Sequence, residues 1–363
     1  MSVHPPDLTI GADPLTLARG AAEMLLENAA DSDDPAIGVQ RCLLRWLAAQ
    51  GLYSVAAPTE HGGMGRDERT LAEVEEILAG ADAATWFVLT QHRTSQKLAL
   101  DSGYPAAGQY REALCRGDEL GGIAVAHLRR PGPPAITAVP DGRSGWRFSG
   151  RAEWCTGWGL VDLVLIAAVT EADEVVFALL PAHERQGLTA SEPYSLAVMG
   201  GTHTVGLRLD DMPVAADEVA GIVPVQEWRR RDAGTVVDTK PATLGLLRRV
   251  IDETLRTGHD RDRPAAVDEA QALASRAWPL RERAYELRFS PDRDRHVSER
   301  LELRGRIAEL TVRAAAGLVA ARGGSAMYSS SHEQRWSREA MFHLVQAQND
   351  DVRAAQLAAF SGS

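Results

Sequence analysis

The sequence lacks several features that would settle its class at once. It has no basic excess: 50 acidic residues outnumber 39 Lys and Arg, and the formal net charge is −11. Gripping nucleic acid by its phosphates needs the opposite balance, so no nucleic-acid partner is expected. Local clusters such as Arg229-Arg230-Arg231 read either as a solvated helix start or as an anion site. Cysteine is scarce, and Cys42, Cys115 and Cys155 lie far apart. They form neither a zinc pattern nor a disulfide framework, so no metal is expected and a cytoplasmic location is. No charged-then-apolar leader opens the chain. No run approaches the roughly 20 apolar residues that cross a bilayer, so no membrane is expected.

What is present is an ordinary globular composition, 45% hydrophobic and 25% charged over 363 residues, enough for two or three domains. Apolar residues recur at helical spacing from residue 14 to about 118, as in Leu15, Leu17, Ala18, Ala22, Leu25 and Leu26. A Pro- and Gly-rich loop from Pro58 to Gly65 interrupts them. From about Gly121 to Leu209 the period shortens, and branched and aromatic runs alternate with Pro, Gly and Asp. That pattern predicts a compact antiparallel β domain. Beyond Pro224, helices are expected near 226–257, 264–289, 296–322 and 333–358, broken at Gly258, Pro291 and Gly323-Gly324. The expected fold is therefore mainly α with a central β domain. A helical N-terminal domain (1–118) comes first, then a β-barrel or sandwich (119–222), then a C-terminal four-helix bundle (223–363). A flat cofactor suits the cleft where the β domain meets the bundle.

Four blocks in this order resemble the acyl-CoA dehydrogenase superfamily of flavoproteins over nearly the whole chain. They are the loop from Gly51 to Gly65; Trp146 to Thr156 with the strand at Val161-Asp-Leu-Val-Leu-Ile; Leu207-Arg-Leu-Asp-Asp-Met-Pro-Val214; and Arg322-Gly-Gly with Arg335 and Arg338. The resemblance implies bound FAD, or FMN, and a homodimer or homotetramer assembled through the bundle. It places Val125, Trp154 and Thr156 against the flavin. Trp154 offers a broad aromatic face, and Thr156 a hydroxyl for flavin N5; core and strand positions are the alternative for both. Gly323 and Gly324 would let backbone approach the cofactor. Gln334, Arg335 and Arg338 would hold its diphosphate or a neighbouring subunit.

The departures matter as much. Where relatives carry Thr-Glu-Pro-x-x-Gly-Ser, this chain reads Ala126-His-Leu-Arg-Arg-Pro-Gly132, leaving Arg129 or Arg130 as substitutes for the missing phosphate contacts. The Arg-x-x-Phe-Gly motif is absent, with Arg261 or Arg263 as its remnant. No carboxylate stands between Glu339 and Asp350: the family's catalytic glutamate falls at Ala347, and its alternative location near Thr235. Neither residue abstracts a proton beside a thioester.

Three readings follow. The leading one is a monooxygenase that takes reduced flavin from a separate reductase and, with O2, hydroxylates a small organic substrate. Thr156 and His343 are its candidate catalytic residues. The unperturbed imidazole pKa of about 6.5 suits His343 to that work, although a core histidine is the equal alternative, and Gln346 stands where some relatives have a second histidine. His92, His127 and His203 are weaker candidates. The second reading is an acyl-CoA or acyl-carrier-protein dehydrogenase with its base moved to Asp238 or Glu339. The third keeps the fold without redox catalysis, as a scaffold.

Overall fold

The computed structural model describes residues 13–362; residues 1–12 and 363 of the expected end domains lie outside them. Helix α1 (Pro14–Asp33) starts where Pro14 follows Asp13, whose carboxylate accepts from Thr16 N. Next come α2 (Arg41–Ala49), α3 (Glu68–Ala79), α4 (Ala83–Asp101) and α5 (Pro105–Arg116). Asp67 and Asp82 cap α3 and α4 in the same way as Asp13 caps α1.

The strands are β1 (Gly121–Ala124), β2 (Ile136–Pro140), β3 (Trp146–Cys155), β4 (Leu163–Val169), β5 (Glu174–Pro181), β6 (Leu188–Ala190), β7 (Val205–Val214) and β8 (Val219–Pro224). They form two half-sheets, β6-β7-β3-β2 and β4-β5-β8, joined where Thr137 pairs with Val169. The expected purely antiparallel pairing is corrected at β1, which runs parallel to β4 from Gly121–Leu163 to Ala124–Ile166. The intervening chain, which carries the β2–β3 hairpin, is the long crossover that parallel neighbours require. One face of β4 and β5, with Val164, Ile166, Val176 and Ala178, packs on Phe148, Ala152 and Leu207. The other face, with Leu165, Phe177 and Leu179, packs on Ala99, Ala106 and Leu114 of α4 and α5. Burial on both faces accounts for runs that are apolar at nearly every position.

After β8 come α6 (Val225–Val236), α7 (Pro241–Asp260), α8 (Pro264–Arg288), α9 (Val297–Arg322), α10 (His332–Val345) and α11 (Asp350–Ser361). Two of the four expected helices are thus each divided. Pro241 forces Lys240 into extended backbone (φ −80°, ψ 134°) and separates α6 from α7. Farther on, Ala347 adopts a left-handed φ of 47°, and Asn349 caps α11 through Val352 N, with Asp350 and Asp351 in the first turn. Gly258 breaks nothing: it lies inside α7, where a Cβ would come 2.7 Å from Val267. Among the described residues no helix is long and apolar enough to cross a membrane.

The N-terminal helices are fastened to the bundle by buried Glu76 on α3. Its carboxylate accepts from Arg248 (3.1 Å), Arg281 (2.9 Å) and the Tyr285 hydroxyl (2.9 Å). The α3 and α7 backbones touch there: a Cβ on Gly245 would lie 2.0 Å from Glu76 O, and one on Gly80 2.6 Å from Gly245 O. Gly245→Ala is therefore expected to lower stability by about 1–3 kcal/mol through overpacking. Gly317→Ala, on a helix face where the nearest atom lies 4.0 Å away, should raise it by up to about 1 kcal/mol. Urea unfolding of the two variants checks the opposite signs.

Candidate functional site

The two breaks in the bundle, the α6–α7 elbow at 237–240 and the α10–α11 loop at 346–349, are held together by one side chain. Arg304 of α9 is 4% exposed. It donates to Val236 O on one side, and to Gln346 O (2.6 Å) and Ala347 O (3.4 Å) on the other. Burial pushes its pKa down to about 10. The elbow is fixed further by Asp238, whose oxygens take Arg300 at 2.7 and 2.8 Å and Arg293 at 2.9 Å. From the end of β1, Arg129 grips Asp232 of α6 through two bonds of 2.7 and 2.9 Å. Strand end, elbow and loop thus meet at one junction between the β domain and the bundle.

His343 lies on α10 beside this junction and is 3% exposed. Burial, with Arg304 nearby, pushes its pKa down to about 4, so the ring is neutral. Its Nδ1 lies 3.4 Å from Gln346 Oε1; as placed, Nδ1–H donates and Nε2 is left as an acceptor. Among the described residues Nε2 has no partner, and neither has the Trp86 indole N–H, whose ring centroid lies 6.3 Å from that of His343. A buried acceptor and a buried donor, both unmatched, make a place for a polar ligand atom or water. The carboxylates proposed as relocated bases are committed elsewhere. Asp238 is held by two guanidinium groups. Glu339 is buried 3.5 Å from Arg335, and its pKa is pushed up to about 7 by burial, with Arg335 opposing and Asp82 and Asp33 adding to the rise.

Trp154 and Thr156 sit at a β-bulge that ends β3, where Trp154 has φ 67°. The turn exposes its indole by 49% and sets it edge-on to Tyr194, with centroids 5.4 Å apart. Thr156 instead points inward, 3.0 Å from the Thr204 hydroxyl, which lies 2.9 Å from that of Thr202, which donates to Met199 O at 2.8 Å. Three hydroxyl protons serve three contacts, and the chain ends on a carbonyl. Its direction is therefore fixed: Thr156 donates to Thr204, and its oxygen, the proton spent, can only accept further bonds. Val125, buried at the end of β1, opens the 3-10 turn Ala126–Arg129. Arg130 pairs with Glu153 at 2.8 Å, so both arginines that replace the missing phosphate motif already face carboxylates.

The other expected cofactor residues do not join this group. Gly323 and Gly324 end α9 about five turns beyond Arg304, roughly 28 Å along the axis. There Gly323 (φ 81°) lies near Arg263, and Arg261 donates to Arg322 O at 2.8 Å. A hollow of about 250 Å³ lined by Gly258, His259, Asp262 and Arg263 opens at the neighbouring α7–α8 turn. Arg335 is buried against Glu339 and over Trp336, and Arg338 reaches Asp33 of α1 at 2.5 Å. Both tie α10 to the N-terminal helices. His92 bonds Leu114 O and Gly121 N, and His127 bonds Ala167 O; they brace β1. Arg293, Arg300 and Arg304 could not be singled out in the sequence because nothing in the spacing of arginines on α9 and the turn before it marks which of them face inward.

Burial pushes the pKa of His92, His127 and His343 alike to about 4. Each favours the neutral ring in the fold, a contribution present above about pH 6.5 and lost as pH falls toward 4, worth up to roughly 3 kcal/mol apiece. Glu339 has the opposite sign: its penalty grows as pH rises from about 4.5 to 7. Urea midpoints measured from pH 7 to 4 should fall steadily, and His343→Phe should make the slope shallower by about one proton.

No family model matches the sequence. It is 26% identical over 216 residues to dibenzothiophene monooxygenase from Rhodococcus qingshengii, an alignment covering 58% of this chain and 51% of that protein. The chain thus spans about half the length of the curated relative it matches. A structure of TdsC from Paenibacillus sp. A11-2 with FMN and indole superposes with a TM-score of 0.78 at 19% identity, covering 96% of each chain. Butyryl-CoA dehydrogenase from Megasphaera elsdenii superposes with a TM-score of 0.79 at 17% identity, covering 98% of this chain and 99% of the other. The chain therefore has the fold of butyryl-CoA dehydrogenase and TdsC along nearly all its length, and it is similar in sequence to dibenzothiophene monooxygenase over more than half of it.

Proposed function

We propose that the protein is a flavin-dependent monooxygenase acting on a small organic, aromatic substrate with reduced flavin delivered by a separate reductase. The observation that carries this reading is the fixed direction of the Thr156–Thr204–Thr202 hydroxyl chain. Reduced flavin presents an N–H at N5, oxidised flavin a bare nitrogen, and a threonine that can only accept matches the reduced form. The likeness to a dibenzothiophene monooxygenase, and the FMN and indole bound to TdsC, support the same class of chemistry. Dehydrogenation of an acyl thioester needs a free base, and Ala347, Thr235, Asp238 and Glu339 supply none.

The residues present fit a flavin ring. The exposed Trp154–Tyr194 pair offers it an aromatic face, Thr156 accepts at N5, and Val125 closes the strand end. They fit a dinucleotide diphosphate less well, since Arg129 and Arg130 are neutralised by Asp232 and Glu153; FMN is the better match and FAD the alternative. When bound and reduced, the flavin supplies the electrons that activate dioxygen. His343 Nε2 accepts a proton from, or orients, a substrate N–H or O–H, while Trp86 and Phe342 shield that position from water. Exposed apolar side chains on and just before α10 and α11, Met327, Tyr328, Met341, Val345 and Leu357, support a homodimer or homotetramer through these helices. Sedimentation velocity at micromolar concentration should give more than one copy, and a monomer would overturn that part.

Titration with oxidised and with chemically reduced FMN should show the reduced form bound more tightly. Thr204→Val, which frees the Thr156 proton, should narrow the ratio. Reduced flavin, protein, indole and isotopically labelled dioxygen should yield a labelled organic product, lowered about 10²-fold or more in His343→Gln without loss of flavin binding. Hydrogen peroxide as the sole product, with flavin bound, would refute the oxygenase reading.

A further inference from the structure

The α6–α7 elbow holds more positive charge than its own carboxylates answer. Arg293 and Arg300 share Asp238, and Arg129 takes Asp232. Lys240, Arg288 and Arg304 are left with no carboxylate within ion-pair distance among the described residues. They donate to carbonyls instead: Lys240 to Thr235 O (3.1 Å), Arg288 to Thr239 O (3.2 Å), Arg304 to Val236 O and Gln346 O. Carbonyl contacts leave the net charge in place, and each of these groups raises the cost of charging the others. Lys240 shows this: burial together with Arg304 and Arg288, and more weakly Arg129, lowers its ammonium pKa well below the usual value, with Asp238 opposing only in part. Lys240 is one of two in the sequence, with Lys97 the other.

Two further features make this a site and not merely a crowded corner. Thr239, 5% exposed, has a buried hydroxyl with no hydrogen-bond partner among the described residues. The 20-residue helix α7 begins at Pro241 with Lys240 in the capping position and no side-chain cap, so its positive end is unanswered. A carboxylate or phosphate oxygen placed here would meet an ammonium, two guanidinium edges, a hydroxyl and a helix N-terminus together. Arg304 also touches the loop that follows His343, which ties the elbow to the helix carrying that histidine.

We propose that the elbow formed by Lys240, Arg288, Arg304 and Thr239 binds the anionic group of the substrate, which is therefore a small aromatic acid and not a neutral arene. This deepens the oxygenase reading and depends on it only for calling the ligand the substrate. Anion binding itself is tested on the flavin-free protein.

With only two lysines, the unaltered chain supplies its own control. Acetic anhydride labelling read by peptide mass spectrometry should modify Lys97 and Lys240. Indole-3-carboxylate should slow labelling of Lys240 at least fivefold and leave Lys97 unchanged, and inorganic phosphate should compete at higher concentration. Neutral indole should protect neither. In a parallel titration, Lys240→Gln should weaken indole-3-carboxylate about tenfold and leave indole unaffected. Equal protection by indole and its carboxylate, or none by either, would overturn the anion site. Protection by FMN but not by riboflavin or indole-3-carboxylate would assign the elbow to the flavin phosphate and overturn the substrate assignment. If anion protection holds while labelled dioxygen reaches no organic product, the oxygenase reading fails and the anion site stands.

Discussion

The candidate site depends on a single buried cation bridging two interruptions of the bundle. Arg304 cannot be solvated where it lies, so its N–H groups must find acceptors, and the helix breaks supply them: free carbonyls at Val236 on one side and at Gln346 and Ala347 on the other. An unbroken helix has no such carbonyls to offer in mid-length. The divisions of the bundle and the burial of Arg304 therefore require each other. Asp238 brings a negative charge into the elbow itself, and Arg293 and Arg300 consume it. What remains is a corner with positive charge to spare beside a neutral histidine.

That corner stays in place because the bundle is fastened elsewhere. Glu76 takes three donors from α7 and α8, and the paired glycines Gly80 and Gly245 let α3 and α7 meet backbone to backbone. At the far side Arg338 and Asp33 join α10 to α1. Buried ion pairs of this kind contribute little net stability but set geometry, since removing one partner strands the other. The β domain is held by different means. Strands β4 and β5 are apolar on both faces and are clamped between helices and the opposing half-sheet.

Much of the fold could be read along the chain, because amphipathic period and turn chemistry are local. The change of period near Gly121, the helices after Pro224 and the loop before Gly65 all follow from side-chain spacing. The divisions at 237–240 and 346–349 were legible too, in Pro241 and in Asn349-Asp350-Asp351, but the apolar pattern runs through them and hides the capping signals. The parallel pairing of β1 was not legible, since strand direction is fixed by where the chain returns.

The sequence by itself determined the order of helical, β and helical segments, the absence of a carboxylate at Ala347, and the presence of Trp154, Thr156 and His343. These are facts of composition and spacing. Tertiary structure alone decided the environments: that the Thr156 hydroxyl spends its proton on Thr204, that Arg335 and Arg338 are tied inward, that Gly323 ends its helix far from the elbow, and that Lys240 stands among arginines with no ion-paired carboxylate among the described residues. Hydrogen-bond direction, burial and net local charge depend on residues far apart in the chain. They exist only once the fold has brought those residues together.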